Sequence, residues 1–233
     1  NDDDLERQRF NLLTEYFPVT RRQMKQSWRY LRRPVREGPK DELDIDTTVE
    51  QVGRDGFLLD PVLRARRINR ADLTLLIDQD GSMVPFHILS RQFIETARRG
   101  GRLGNAGVYY FHDYPSSYLY RDPAQIESLA IEEVLAGLNE RVAVLILSDA
   151  GAARGNFDGE RVTQTQKFIR ELKRRVRYCA WLNPMPIQRW SHTTAIEIAR
   201  LVPMFEMSRN GLDNAIGALR GRFIDLKSTS YYG

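Results

Sequence analysis

Hydrophobic positions along this chain change period repeatedly, and each change marks an element. Residues 73–77 are an almost unbroken apolar run, the pattern of a strand buried on both faces. Pro85 opens a stretch to about residue 99 in which Phe86, Leu89, Phe93 and Ala97 recur at helical spacing. GGRLGNAG reads as a loop, 108–111 as a second strand and 117–120 as a short edge strand. Ile126, Ala130, Val134 and Leu138 mark a helix, and 142–147 is a dense apolar run ending in Ser148-Asp149. Helices follow at 162–174, 193–202 and 211–219, with strands at 177–182 and 204–207 between them. Strands alternating with helices predict one α/β layer structure: a doubly wound, mostly parallel six-stranded sheet with helices on both faces.

The first 72 residues follow a different rhythm. NDDDLERQR is polar throughout. Met24, Trp28, Leu31 and Val35 then repeat at helical spacing, while Arg21, Arg22, Lys25, Arg29, Arg32, Arg33 and Arg36 add seven positive charges without an acid. Thr20 is placed to cap this helix and Pro34 to end it. EGPKDELDID reads as a linker, residues 47–54 as a short helix closed by Gly53 or Gly56. Arg64, Arg66, Arg67 and Arg70 form a second basic cluster ahead of the first central strand. The expectation is an arginine-rich, N-terminal helical extension over residues 1–72, packed on a core domain spanning 73–233.

Charge sharpens the partner class. The net charge is only +4, yet 30 of the 35 basic residues are arginine, whose planar fork suits interfaces and anionic groups. With 31 acidic residues interspersed and no nucleic-acid module recognisable, protein is the expected partner. No stretch reaches the roughly 18 apolar residues of a membrane span, so no membrane partner is expected. The single cysteine, Cys179, excludes a disulfide framework and fits a reducing cytoplasmic interior. Its strand setting reads as a small buried hydrophobe.

The chemistry concentrates in LTLLIDQDGSM. The strand delivers Asp78, Asp80 and Ser82 into the loop at its carboxyl end, the edge at which ligands bind in open α/β sheets. Asp149 ends a second core strand at the same edge. If the two strands are neighbours, these carboxylates converge, and converging like charges call for a cation or a proton. Hard oxygen ligands of this kind suit Mg²⁺, Mn²⁺ or Ca²⁺, with no organic cofactor expected. Arg22, Arg29, Arg32 and Arg33 on the basic helix, His112 after the second strand and Trp190 in a loop at the ligand edge are the expected partner contacts.

LLIDQDGSM followed by ILSDAGAARG resembles the metal-ion-dependent adhesion site of von Willebrand factor A (vWA) domains. In that resemblance Asp78 stands at the first position, Ser82 at the last serine, Asp80 where a serine is usual, and Asp149 at the late aspartate; Ser117 and Ser128 are the candidates for the threonine. LDIDTTVEQVGRDG, RARR, YFHDYP and YCAWLNPMPIQRW extend the similarity to the CoxE-like, MoxR-associated branch, over roughly residues 43–220. The resemblance implies a vWA/Rossmann-like fold and a non-enzymatic, cation-binding adaptor. Its implied partner is a MoxR-like AAA+ ATPase, or another NTPase or effector, in a bacterial multi-component conflict or stress system. An enzymatic alternative also stands: DQDGS is similar to the DxDG(T/S) opening of haloacid-dehalogenase-like phosphohydrolases. There Asp78 is the nucleophile, Asp80 the acid/base, Ser148 a phosphate contact, Lys167 the charge partner, and Mg²⁺ sits at Asp78. That chemistry wants a later acidic pair, which WLNPMP lacks, and gives Asp149 no role.

Overall fold

The computed structural model describes residues 19–57, 60–79, 81–101 and 107–222. Asp80, the polar start of the chain and most of the GGRLGNAG loop lie outside the described residues.

Thr20 caps helix α1 (Arg21–Leu31) through a capping box with Gln23. The helix stops at Leu31 rather than reaching Val35, because Pro34 disfavours helical geometry at the residue before it. The chain then enters strand β1 (Arg33–Leu43), which pairs antiparallel with β2 (Leu63–Arg70) around helix α2 (Ile45–Asp55). The extension is therefore a helix followed by a hairpin arm, not helical throughout, and EGPKDELDID is strand and the start of α2 rather than linker. Both strands are largely exposed, so no apolar period announces them. Pairing and charge hold them: Glu42 lies 3.1 Å from Arg64, Asp41 2.9 Å from Arg66, and Arg70 pairs with Glu37 and Asp72. Most of the second basic cluster is thus neutralised within the arm.

The core follows the predicted alternation: β3 (Leu73–Asp78), a 3-10 turn over Gly81–Phe86, α3 (His87–Gly101), β4 (Val108–Phe111), β5 (Tyr118–Tyr120), β6 (Ser128–Ala130), α4 (Ile131–Ala136), β7 (Ala143–Leu147), α5 (Gly159–Lys173), β8 (Tyr178–Asn183), α6 (Thr194–Leu201), β9 (Met204–Glu206) and α7 (Arg209–Leu219). Among the described residues the main sheet has seven strands, not six, in the order β6-β5-β4-β3-β7-β8-β9. The added strand, β6, takes residues read from sequence as helix. The Asp122 carboxylate accepts the backbone N–H groups of Ile126 and Glu127 and closes a tight turn there. β4, β3, β7, β8 and β9 pair in parallel, while β5 and β6 run on antiparallel at the edge.

Alternation along the buried strands splits the core in two. Leu73, Leu75 and Ile77 of β3, with Leu145 and Leu147 of β7, pack against α1, α3 and α7; Leu76, Val144 and Ile146 face α4, α5 and α6. The result is a three-layer α/β domain with a mostly parallel sheet. α1 belongs to it: Met24, Trp28 and Leu31 are buried, Ser27 Oγ donates to Asp213 of α7 at 2.6 Å, and Arg32 Nε donates to the Gly100 carbonyl at 2.7 Å. Gly100 allows that approach, since a Cβ there would sit 3.1 Å from the Lys25 backbone. Cys179 is buried in β8, where burial pushes its thiol up to about 11. No helix among the described residues is long and apolar enough to cross a membrane.

Candidate functional site

β3 and β7 are parallel neighbours, in register from Leu73 opposite Ala143 to Ile77 opposite Leu147. The adjacency that the acidic cluster requires is therefore present. The sequence runs outward in opposite directions from these two strands, to β4 on one side and β8 on the other. Their carboxyl ends form the switch point where doubly wound sheets bind ligands.

Asp78 and Asp149 meet there, both buried. Asp78 Oδ2 accepts a 2.6 Å hydrogen bond from Ser148 Oγ, and Asp78 Oδ1 accepts the Asp113 N–H at 3.1 Å. Asp149 Oδ1 accepts Ser82 Oγ at 3.1 Å, and its Oδ2 accepts the Ala153 N–H at 3.0 Å. Trp181 Nε1 and Asn183 Nδ2, each at 2.9 Å, hold the backbone carbonyls of Ser148 and Asp149. Ser117 and Ser128 are exposed near β5 and β6, with β4 between them and β3.

Sequence reasoning missed the residue at the centre. Arg161, in the first turn of α5, is 2% exposed and extends into the acidic cluster. One terminal nitrogen lies 3.2 Å from Asp78 Oδ2 and 3.6 Å from Asp149 Oδ1; the other lies 2.9 Å from Asp113 Oδ1. The Asp113 contact is at ion-pair distance but off the hydrogen-bonding direction, and Arg161 Nε has no hydrogen-bond partner among the described residues. Arg154, more exposed, reaches Asp113 from outside at 3.3 Å. The signal was present: a cation in the first turn opposes the helix dipole, so its placement needs another cause. Reading the helix from residue 162 hid it, because Asp158 caps the helix and it begins at Gly159.

Among the described residues three carboxylates thus face two guanidiniums, and protonation of Asp78 makes the charges equal. Burial pushes the Asp78 carboxyl up to about 7, against the pull of the Ser148 hydrogen bond and the Arg161 charge. Asp78 therefore holds its proton more tightly folded than unfolded. The stability this contributes is fully present below the usual aspartate range and is lost as pH rises towards 7. Asp78→Asn keeps the shape without the charge, so melting temperature measured between about pH 5 and pH 8 should fall more steeply for the unaltered chain than for the variant. Parallel profiles would place the titrating proton elsewhere.

These residues fit a guanidinium better than a divalent ion. A resident Mg²⁺ takes oxygen ligands at close range and usually keeps several waters. Here the oxygens of Asp78, Asp149 and Ser82 are already engaged with Ser148, Arg161 and one another. Among the described residues no three His, Cys, Asp or Glu side chains are grouped to hold a metal. Lys167 is exposed on α5, so the cation beside Asp78 is Arg161 instead.

The expected partner contacts divide. Arg22, Arg29 and Arg33 are exposed and His112 is exposed with Nδ1 3.1 Å from the Gln79 carbonyl; Arg32 is partly buried on Gly100. Trp190 is fully buried with Nε1 donating to the Met185 carbonyl at 3.0 Å, so it packs the core and presents nothing to a partner. A cleft of about 520 Å³ along α3, lined by Gln79, Arg91, Arg98 and Tyr110 among others, adds basic surface beside α1. Compared with protein-family models, with curated proteins and with solved structures, the chain matches none.

Proposed function

We propose that this is a non-enzymatic adaptor domain of the vWA-like kind that docks onto another protein. The partner class is the one that the sequence resemblance implies: a MoxR-like AAA+ ATPase, or another NTPase or effector of a bacterial multi-component system. The hairpin arm carries this reading. α2, at its tip, has no buried residue, yet Ile45, Val49 and Val52 fall at i, i+4 and i+7, the spacing of one apolar face. Ile45 is 62% and Val49 63% exposed, and Leu43, Phe57 and Leu63 add apolar surface nearby. A helix of this kind is the shape that inserts into a partner's groove, and an exposed apolar patch marks an interaction site. The exposed arginines of α1 and α3 supply the flanking positive surface.

The doubly wound strand order supports the vWA-like assignment, since the order from β5 to β9 follows the 3-2-1-4-5-6 pattern with its ligand edge at the switch point. The phosphohydrolase alternative draws less support. Asp78 is 2% exposed and its oxygens are occupied by Ser148, Arg161 and the Asp113 amide, whereas a nucleophile needs an open line to phosphorus.

Exposed substitutions leave stability nearly unchanged, so Ile45→Glu with Val49→Glu separates docking from folding. Titrated with a MoxR-like ATPase by fluorescence anisotropy, the double variant should bind at least ~10-fold more weakly than the unaltered chain, at equal melting temperature. Equal affinities would remove α2 from the interface. No saturable binding of the unaltered chain to ATPase or effector would remove the adaptor reading itself.

A further inference from the structure

We propose that Arg161 is the resident cation of the acidic edge: its guanidinium takes the place of a divalent ion, so the edge keeps its shape without metal, and removing the guanidinium converts it into a cation site. This stands on the geometry of the edge alone, whichever partner the domain takes, so failure of the docking test leaves it intact.

Three independent features place the guanidinium there by construction. The first is contact: one nitrogen lies within 3.6 Å of Asp78, at the end of β3, and of Asp149, which follows β7, and the second within 2.9 Å of Asp113, which follows β4. One side chain therefore ties together three strand ends, the geometric task a metal would perform. The second is burial. At 2% exposed, Arg161 has given up water, and a buried charge is tolerated only where opposite charges answer it. The third is a cradle. Gly151, at φ +85°, lies under the guanidinium, and a Cβ there would stand 3.3 Å from its nitrogen and 3.1 Å from Thr194 Cβ. A glycine is required both by the left-handed turn and by the space. Its position in the first turn of α5, against the helix dipole, is accounted for by the acids it meets.

A divalent ion and the guanidinium compete for one volume. With Arg161 present, a cation gains nothing there. With it gone, Asp78, Asp113 and Asp149 lose the countercharge they share, and their oxygens are hard ligands of the kind that Mn²⁺ or Mg²⁺ draws together.

The test is Mn²⁺ binding, read by electron paramagnetic resonance and by thermal shift, for the unaltered chain and Arg161→Ala. The unaltered chain should show no saturable binding up to about 10 mM, while Arg161→Ala should bind at least ~10-fold more tightly and regain melting temperature as Mn²⁺ is added. Saturable binding by the unaltered chain that is lost in Asp78→Asn would overturn the proposal, as would a folded Arg161→Ala that ignores Mn²⁺. If Arg161→Ala does not fold without metal, folding on addition of Mn²⁺ supports the proposal. If it folds under neither condition, Arg161→Ala combined with Asp149→Asn removes one charge of each sign; recovery of the fold supports the charge-balancing role, and failure to recover it overturns it.

Discussion

Trp28→Ala should be among the most destabilising single changes in the chain, at about 3–5 kcal/mol, because it empties a large buried volume between α1 and α3. Trp28 is fully buried, meets Phe93 edge-on at 4.9 Å between ring centroids, and donates from Nε1 to Thr96 Oγ1 at 3.1 Å. Thr96 also reaches the Met24 sulfur, so one deletion loosens two α1 anchors at once. The consequence extends beyond the cavity. α1 leads directly into β1, so a loosened α1 releases the arm that carries the proposed docking helix. Denaturant unfolding should show a lower midpoint, and partner affinity should fall with it. A loss below about 1 kcal/mol would mean that α1 is peripheral to the fold.

How much of this was legible in the sequence depends on whether burial left a period to read. β3 and β7 are buried on both faces and stood out as apolar runs; the register that makes them neighbours is a tertiary fact that no local pattern carries. α1 was legible in its apolar spacing and its Thr20 cap, but its end was placed at Pro34 rather than Leu31, because Val35 continues the period into a strand. β1 and β2 left no trace, because their stability comes from ladder pairing and arginine–carboxylate contacts on exposed faces. At the edge, Asp78 and Asp149 were found because they end apolar runs. Arg161 was not, because it lies on a helix whose start was read three residues late and its target lies on other elements. Trp190 shows the opposite error: its loop setting suggested exposure, while its indole fills the core.

Asp149 and Asp78 sit side by side yet should respond oppositely to loss of charge. Asp149→Ala removes one of the carboxylates answering the buried Arg161 and leaves Ser82 Oγ and the Ala153 N–H without their acceptor. Breaking a buried ion pair from one side costs about 3–5 kcal/mol. The loop it organises is also strained: Ala150 and Gly151 both have positive φ, at 51° and 85°, and without the carboxylate less remains to hold them. Asp149→Asn should recover only part of the loss, since an amide oxygen still accepts from Ser82 but carries no charge. Asp78→Asn should be mild at neutral pH and stabilising above it, because its carboxyl, raised to about 7 by burial, already carries a proton half the time there. The decisive measurement is the unfolding midpoint of Asp78→Asn and Asp149→Asn at about pH 8, side by side. A large loss for Asp149→Asn beside none for Asp78→Asn would assign the guanidinium's necessary countercharge to Asp149, with Asp78 as the proton-bearing partner. Equal losses would mean that Arg161 needs both charges, and that Asp78 is not the proton-bearing partner.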